Sequence, residues 1–377
     1  MYFKEDKKIV RIVLIYIITF VISLLFFFIG DRLYRDYRWL FYLIAITPPA
    51  ILAGCRDLSV GTDTSLYQYP TFLTCVHSHT LERAFNYTIQ GLESLYIMLA
   101  YFISCFTSNH NVFFFVTHLV ILSSLLFAFY RSRVEVATAF SLFYPMFFAE
   151  TLNVARQCLA MPFCLLSLAE FRRKKYLGCF SYFLIAFGFH HSSWFFLLVL
   201  FLYHMCKNHY RRMKQKSMVI ILVSVVSLAV VLFNVILTSL VGIGIADVKY
   251  LERYGNADMY GSGAPVSLFA MNTFNLMIWL IFFYNRRKSP FVVFSFYVML
   301  ISLLLCFTGY ISTFAIRLAF YFMIVSIVSI SFLMVRSIFI FRIIIYTFYM
   351  FYWFMIVVVA DLGETYPYQS KIIDSIF

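Results

Sequence analysis

The chain has 377 residues, of which 63% are hydrophobic and 12% are charged, and its net charge is +13. Soluble domains are about half apolar and about a quarter charged, so a soluble, fibrous or disordered chain is excluded. Gly and Pro are scarce, at 13 and 8 residues, which favours membrane helices over the turn-rich strands of a β-barrel. The composition predicts an all-α, polytopic integral membrane protein.

The predicted spans follow one another along the whole chain, which we interpret as a single membrane domain over residues 1–377. A helix needs about 20 apolar residues to cross a bilayer. We predict roughly 11–13 transmembrane or re-entrant helices, at 10–29, 39–53, 93–107, 111–130, 136–150, 154–171, 176–189, 192–206, 217–240, 268–284, 290–308, 315–335 and 343–360.

Two polar loops interrupt these spans, at 55–92 and 241–267. Segment 39–53 is the first candidate for an interrupted helix, because Pro48 and Pro49 lie at its middle. Cys55 and Cys75 share the first loop and could form a disulfide if that loop faces an oxidising compartment.

Most of the positive charge lies in short basic clusters between the apolar runs. Of the 30 Lys and Arg, 23 belong to these clusters, which contain Lys4–Arg11, Arg32–Arg38, Arg131/Arg133, Arg172–Lys175, Lys207–Lys216, Arg286–Lys288 and Arg336/Arg342. This is the positive-inside pattern, which orients membrane helices and contacts anionic lipids. Nucleic-acid binding is excluded, because the basic residues do not form one soluble face.

The strongest cluster, Arg172–Lys175, sets the predicted topology. With this cluster in the cytoplasm, Arg156, His190 and the 241–267 loop lie outside. The N-terminal half stays undecided. Counting every run as a full crossing places the 55–92 loop in the cytoplasm, whereas one re-entrant run between Glu93 and Arg131 would place it outside.

The first loop contains the sequence C-R-D-L-S-V-G-T-D-T-S-L-Y. Arg56 could clamp an anionic group with its forked guanidinium, Gly61 permits a tight turn, and Asp63 could act as a base or bind a sugar hydroxyl. The alternative is an ordinary Asp/Thr turn that leaves the bilayer.

Three further basic or titratable positions lie beside apolar runs. Arg156, followed by Gln157, and Arg317 are charged residues within apolar segments, where a charge is costly and marks a functional candidate. The alternative for Arg156 is a snorkelling side chain or a partner for Glu150. His190 and His191 could transfer a proton or contact phosphate, or could simply cap a helix. Metal binding is not expected, because no third ligand has useful spacing.

The order of these motifs is informative. R-D-L-S-V-G-T-D-T-x-x-Y is followed by Glu93, then by N-V-A-R-Q-C-L-A, R-R-K-K and F-H-H-S-S-W. The series resembles the EpsG family of Wzy-like polysaccharide polymerases. The resemblance implies a GT-C-like glycosyltransferase of the bacterial inner membrane whose active site faces the periplasm.

The resemblance also implies a reaction and its residues. A growing O-antigen or other surface glycan would pass from undecaprenyl diphosphate onto a new lipid-linked repeat unit, without a cofactor, and a chain-length regulator protein would be a partner. The implied catalytic residues are Asp63, Arg156 and either His190 or His191, and the implied substrate-binding residues are Arg56, Tyr67, Gln157 and Arg317. Two alternatives remain, namely an O-antigen ligase-like glycosyltransferase and a flippase or transporter of the same glycolipid.

Overall fold

The computed structural model describes residues 2–209, 263–283, 289–308, 313–361 and 364–376. Across these ranges the chain is helical and has no strand. It divides into two compact units, one of Met1–Ser193 with Ser337–Phe377 and one of Trp194–Arg336. Each unit is described separately below.

The first unit contains the sequence motifs. Its helices are α1 (Tyr2–Arg32), α2 (Arg35–Gly54), α3 (Tyr69–His77), α4 (Leu81–Tyr87), α5 (Ser94–Ser104), α6 (His110–Ser132), α7 (Val136–Asn153), α8 (Ala155–Arg172), α9 (Tyr176–Phe189), α14 (Phe339–Trp353) and α15 (Lys371–Ile376). The second unit contains α10 (Phe196–His209), α11 (Gly263–Phe283), α12 (Pro290–Thr308) and α13 (Thr313–Met334).

The prediction of an all-α polytopic membrane protein is confirmed. Among the described residues, five helices are long and apolar enough to cross a membrane, namely Val13–Arg32, His110–Ser132, Pro290–Phe307, Ala315–Met334 and Phe339–Val359. The predicted 217–240 span, residues 241–262 of the second loop, the whole Arg286–Lys288 cluster and most of the Lys207–Lys216 cluster lie outside the described residues.

The prediction of an interrupted helix at Pro48 and Pro49 is wrong, because α2 runs without a break from Arg35 to Gly54. Helices α1 and α6 pack against α2. Neighbouring helices allow prolines inside membrane helices, because their packing compensates for the lost backbone hydrogen bonds. Cys55 and Cys75 are both free thiols, so the suggested disulfide is not formed.

The 55–92 segment is more ordered than the predicted polar loop. It forms a π-helical turn at Thr64–Gln68, followed by α3 and α4. After it, α5 has 11 residues, whereas α6 has 23. At 1.5 Å per residue α5 is about 16 Å long, which is too short to cross a hydrocarbon core of about 30 Å. In the described structure, only α6 between Glu93 and Arg131 is therefore long enough for a crossing.

Basic residues gather where α6 and α8 end and α7 begins. Glu170 of α8 accepts a hydrogen bond from Arg131 Nε at 2.9 Å and pairs with Arg131 Nη2, while Arg173 Nη1 lies 3.7 Å from the same carboxylate. Asp31, in the last turn of α1, connects α1 to the start of α7, because its Oδ2 accepts a hydrogen bond from the Ala137 N–H at 2.8 Å. We call this the basic end of the first unit.

The sequence motifs lie at the opposite end of the same helices. Asn111, near the start of α6, donates to the Gly54 carbonyl at the end of α2 at 2.7 Å. The end of α7 and the start of α8 belong to the same region. We call this the motif end. The two ends are separated by the length of α6, about 35 Å.

In the second unit, buried side chains form hydrogen bonds between neighbouring helices. Ser302 of α12 donates to Asn272 Oδ1 of α11 at 2.6 Å, and Ser295 of α12 donates to Ser329 Oγ of α13 at 2.9 Å. Such bonds between helices contribute to packing where apolar contacts alone give little preference.

The Asp31 contact generates a test of the basic end. Replacing Asp31 by Ala removes the side-chain cap from the first turn of α7 and leaves the Tyr42 hydroxyl without its acceptor. We expect a loss of about 1 kcal/mol in the free energy of unfolding, measured by thermal melting in detergent. The control is Asp36→Ala, an exposed acidic residue in the first turn of α2. Equal melting temperatures for the two variants would contradict the cap.

Candidate active site

The candidate site lies around a break between helices α7 and α8. Helix α7 ends at Asn153 and α8 begins at Ala155, with Val154 between them at φ −85° and ψ 54°. The break turns the chain and leaves the carbonyls at the end of α7 available to side chains from elsewhere. It also places Arg156 in the first turn of α8, at the motif end.

The first loop is fastened to this break. Asn153 Oδ1 accepts hydrogen bonds from the Thr62 hydroxyl at 2.8 Å and from the Asp63 N–H at 2.9 Å. Gly61 has φ +87°, and a Cβ at this position would lie 2.9 Å from the Leu152 carbonyl oxygen. Gly61 therefore serves both the turn and the close approach, since other residues rarely adopt a positive φ. These contacts fix the position of Asp63, which is itself buried.

Arg56 is not an open clamp for a ligand, because its side chain is fully buried. Its Nη2 donates to Gln68 Oε1 at 2.9 Å, its Nη1 lies 3.3 Å from His118 Nε2, and its guanidinium lies 4.3 Å from the Phe114 ring centroid. Gln68 continues the network, because its Nε2 donates to the Asn153 carbonyl at 2.9 Å. Burial lowers the pKa of Arg56 to about 10, so the guanidinium stays charged at neutral pH.

Glu93 joins two of the predicted catalytic residues. Its side chain is only 3% exposed, and it precedes α5. Glu93 Oε2 lies 2.5 Å from Arg156 Nη1, and Oε1 lies 2.6 Å from His190 Nδ1. Burial alone would raise the pKa of this carboxyl, but the His190 hydrogen bond and the Arg156 charge outweigh it and lower the pKa to about 2. Glu93 is therefore an ionised carboxylate that accepts from both partners.

The two adjacent histidines have different positions. His190 follows the last residue of α9 in an extended conformation and turns its ring to Glu93. His191 begins the short 3₁₀ turn His191–Phe195, its ring lies 5.1 Å from that of Phe187, and only its backbone N–H reaches Glu93 Oε1, at 3.2 Å. Because an ionised carboxylate only accepts, His190 Nδ1 carries the proton of this hydrogen bond.

Two tyrosines line the Arg156 side chain. The guanidinium lies 4.3 Å from the Tyr67 ring centroid, and the Tyr67 and Tyr96 rings are 5.9 Å apart. Burial and the Asp63 carboxylate raise the pKa of the Tyr67 hydroxyl, so it remains a hydrogen-bond donor at neutral pH. The Tyr96 hydroxyl and Arg156 Nε are buried without a hydrogen-bond partner among the described residues. These two donors could bind an anionic group.

The structure therefore gathers most, but not all, of the predicted site. Asp63, Tyr67, Arg156 and His190 share the motif end of the first unit, and Gln157 is buried on α8 beside Arg156. Arg317 lies on α13 of the second unit, so its part in a diphosphate site stays a prediction. No group of three potential metal ligands occurs in the described ranges.

Sequence reasoning missed the residues that hold the site together. The clearest omission is a role for Glu93, which the motif series contains, although a single acidic residue at the start of an apolar run is itself a signal. The expected alternative partner of Arg156, Glu150, is nearer in sequence, yet the carboxylate that pairs with Arg156 is 63 residues away. Gln68, His118 and Asn153 carry no signal of their own.

The comparisons with known proteins give one match. A family model described as the EpsG family matches residues 39–370, which is nearly the whole chain. No curated protein and no solved structure matches significantly.

The low pKa of Glu93 generates a test of the site. Because this pKa is lowered from 4.5 to about 2, the ionised carboxylate stabilises the folded protein above about pH 4.5. That contribution is lost as the pH falls towards 2. We expect Glu93→Gln to melt at a lower temperature than the wild type at neutral pH, and the difference to shrink on acidification.

Thermal melting in detergent over a pH series measures this difference. The matched control is Glu82→Gln, which changes an exposed acidic residue in the first turn of α4. A difference between wild type and Glu93→Gln that does not change with pH would contradict an ionised, paired Glu93.

Proposed function

The chain belongs to the EpsG family, whose members are Wzy-like polysaccharide polymerases, and we propose on this basis that it polymerises a bacterial surface glycan such as O-antigen. The donor would be a growing chain on undecaprenyl diphosphate, and the acceptor a new lipid-linked repeat unit. The observation that carries the proposal is the buried Arg156–Glu93–His190 arrangement. It supplies a base and an anion-binding group at one end of the helices.

The chemistry of glycosyl transfer needs both groups. A sugar hydroxyl of the acceptor attacks the anomeric carbon of the donor, a C–O bond forms, and the C–O bond to the diphosphate breaks. The proton of the hydroxyl passes to His190 Nε2, and the electron pair of the broken bond leaves with the diphosphate. Glu93 holds the Nδ1–H and stabilises the imidazolium that forms.

Arg156 is suited to the leaving group. Glu93 pairs with Nη1 of Arg156, whereas Nε of the same guanidinium has no hydrogen-bond partner among the described residues. Arg156 Nε and the Tyr96 hydroxyl are the buried donors that a diphosphate oxygen could accept from. Donors placed where charge develops contribute about 100-fold or more each to the rate. Asp63 remains the alternative base, held in place by Asn153.

The position of the site also bears on the two competing functions. A flippase or transporter needs charged groups along a central path, with the binding site near the bilayer midplane. In the first unit, the described site residues gather at the motif end instead. A ligase-like enzyme would use the same donor chemistry and differ in its acceptor, so the reaction products must distinguish it.

We further propose that the motif end faces the periplasm. The basic end carries Arg131 and Arg172–Lys175, and short basic loops face the cytoplasm. The short α5 supports this orientation, because α6 is then the one crossing between Glu93 and Arg131 and the 55–92 segment lies on the side opposite to Arg131. The inner membrane of a bacterium is the compartment that fits this arrangement.

The proposed reaction predicts the outcome of changing Arg156. We expect Arg156→Ala to be inserted normally and to reduce polymerisation by about 100-fold, because the developing diphosphate charge loses its partner. Cells would then carry single-repeat glycan instead of long chains, as seen by gel electrophoresis of surface glycan. Arg83→Ala, which changes an exposed arginine on α4, is the matched control and should leave chain length unchanged.

The glycan pattern separates the proposed activity from its alternatives. Loss of a ligase would leave the surface without O-antigen, while loss of a flippase would leave unpolymerised repeats inside the cell. Long chains at normal yield in Arg156→Ala would remove Arg156 from the mechanism. Replacing His190 by Gln should also give single repeats, whereas His191→Gln should retain long chains.

The proposed orientation predicts which single cysteines react from outside. In a background without native cysteines, Tyr87→Cys lies at an exposed position after the motif loop, and Lys175→Cys lies at the basic end. A membrane-impermeant thiol reagent applied to intact spheroplasts should label position 87 and not position 175. Permeabilised cells should label both. If intact spheroplasts were labelled at position 175 and not at position 87, the motif end would face the cytoplasm and the proposed orientation would be wrong.

A further inference from the structure

A segment near the carboxyl-terminal side of the chain lies along the first loop of the site. We call residues 364–371 the tail strap. The Glu364 carbonyl accepts from the Gly61 N–H at 2.8 Å, and the Gln369 carbonyl accepts from the Asp57 N–H at 2.9 Å. In return, the Lys371 N–H donates to Asp57 Oδ1 at 3.1 Å.

Side chains of the tail strap extend these contacts. Ser370 Oγ donates to the Cys55 carbonyl at 2.5 Å, and Ser59 Oγ donates to Gln369 Oε1 at 3.1 Å. The strap therefore contacts the loop from Cys55 to Gly61, which ends two positions before Asp63. Together with Asn153 on the other side, it holds this loop between two elements that are distant in the sequence.

The tail strap is itself anchored in the core of the first unit. Tyr368 is 4% exposed, and its hydroxyl donates to the Leu52 carbonyl in the last turns of α2 at 2.5 Å. The fully buried Tyr16 of α1 donates to the Thr365 carbonyl at 2.8 Å, and its ring lies 5.7 Å from that of Tyr368. Burying one aromatic side chain is worth about 1.5–3 kcal/mol, so these anchors resist release of the strap.

We propose that the tail strap is a permanent positioning element of the active site, which holds Gly61 and Asp63 in place and stays docked throughout the reaction. The inference rests on the proposed function, because it assigns the strap to the same site. The backbone N–H of Gly61 needs an acceptor at this position, and the Glu364 carbonyl supplies it. A strap of this kind differs from a lid, which must leave the site to admit substrate.

The first experiment compares two truncations. A chain ending at residue 363 lacks the tail strap, whereas a chain ending at residue 371 retains its hydrogen bonds to the loop. We expect the polymerisation rate of the shorter chain to fall by about 100-fold, because a displacement of catalytic groups by about 1 Å costs this much in other enzymes. The longer chain should make long glycan. A synthetic peptide of residues 361–377 should restore part of the activity of the shorter chain in membranes. Normal glycan from the shorter chain would overturn the proposal.

A second measurement does not depend on polymerase activity. Val60 is 1% exposed and lies within the loop that the strap contacts, so Val60→Cys in a background without native cysteines reports on the packing of the loop. We expect the chain ending at residue 363 to react with a thiol reagent at least tenfold faster than the chain ending at residue 371. Equal rates would overturn the positioning role. A faster rate without any effect on glycan would retain the contact, reject its role in the active site and leave the proposed polymerase function standing.

A third experiment distinguishes a fixed strap from a lid. Ser59 and Gln369 are exposed and contact each other, so Ser59→Cys with Gln369→Cys can be joined by a short bifunctional thiol reagent. We expect the cross-linked protein to polymerise glycan at the rate of the same variant without the reagent. A tenfold or greater loss on cross-linking, with no loss in either single variant, would show that the strap must open.

Discussion

A carboxylate buried among membrane helices must be paired, and Glu93 is the residue on which the motif end depends. Its two oxygens contact Arg156 of α8 and His190 after α9, while Glu93 itself immediately precedes α5. A buried carboxylate without either partner would be an uncompensated charge, which is strongly destabilising. The same constraint therefore joins three chain segments and fixes Nδ1 of His190 as the donor to Glu93. Stability and the proposed chemistry share one group.

The network around Arg56 shows a second use of a buried charge. Arg56 binds Gln68 and contacts His118, and Gln68 in turn binds the end of α7. In this arrangement the guanidinium organises the loop that presents Asp63. The same motif thus contains Arg56, which holds the loop in place, and Asp63, seven positions later, which the loop positions.

Composition and motif order were enough to predict the helical membrane fold and the family, because both depend on local properties of the sequence. Which of His190 and His191 turns its ring to Glu93 was not accessible in this way, since it depends on where α9 ends. The partner of Arg156 was also hidden, because the pairing joins residues 63 positions apart. Hydropathy overestimated the run at 93–107, where the helix is only Ser94–Ser104, since apolar residues continue beyond the helix end.

The contact between Ser59 and Gln369 spans 310 positions of the sequence. A ribosome adds about 5–20 residues per second, so the first loop exists for about 15–60 s before the tail strap is made. During that interval Gly61 and Asp57 lack the backbone acceptors that the strap provides. Formation of these contacts is therefore a late event in biosynthesis.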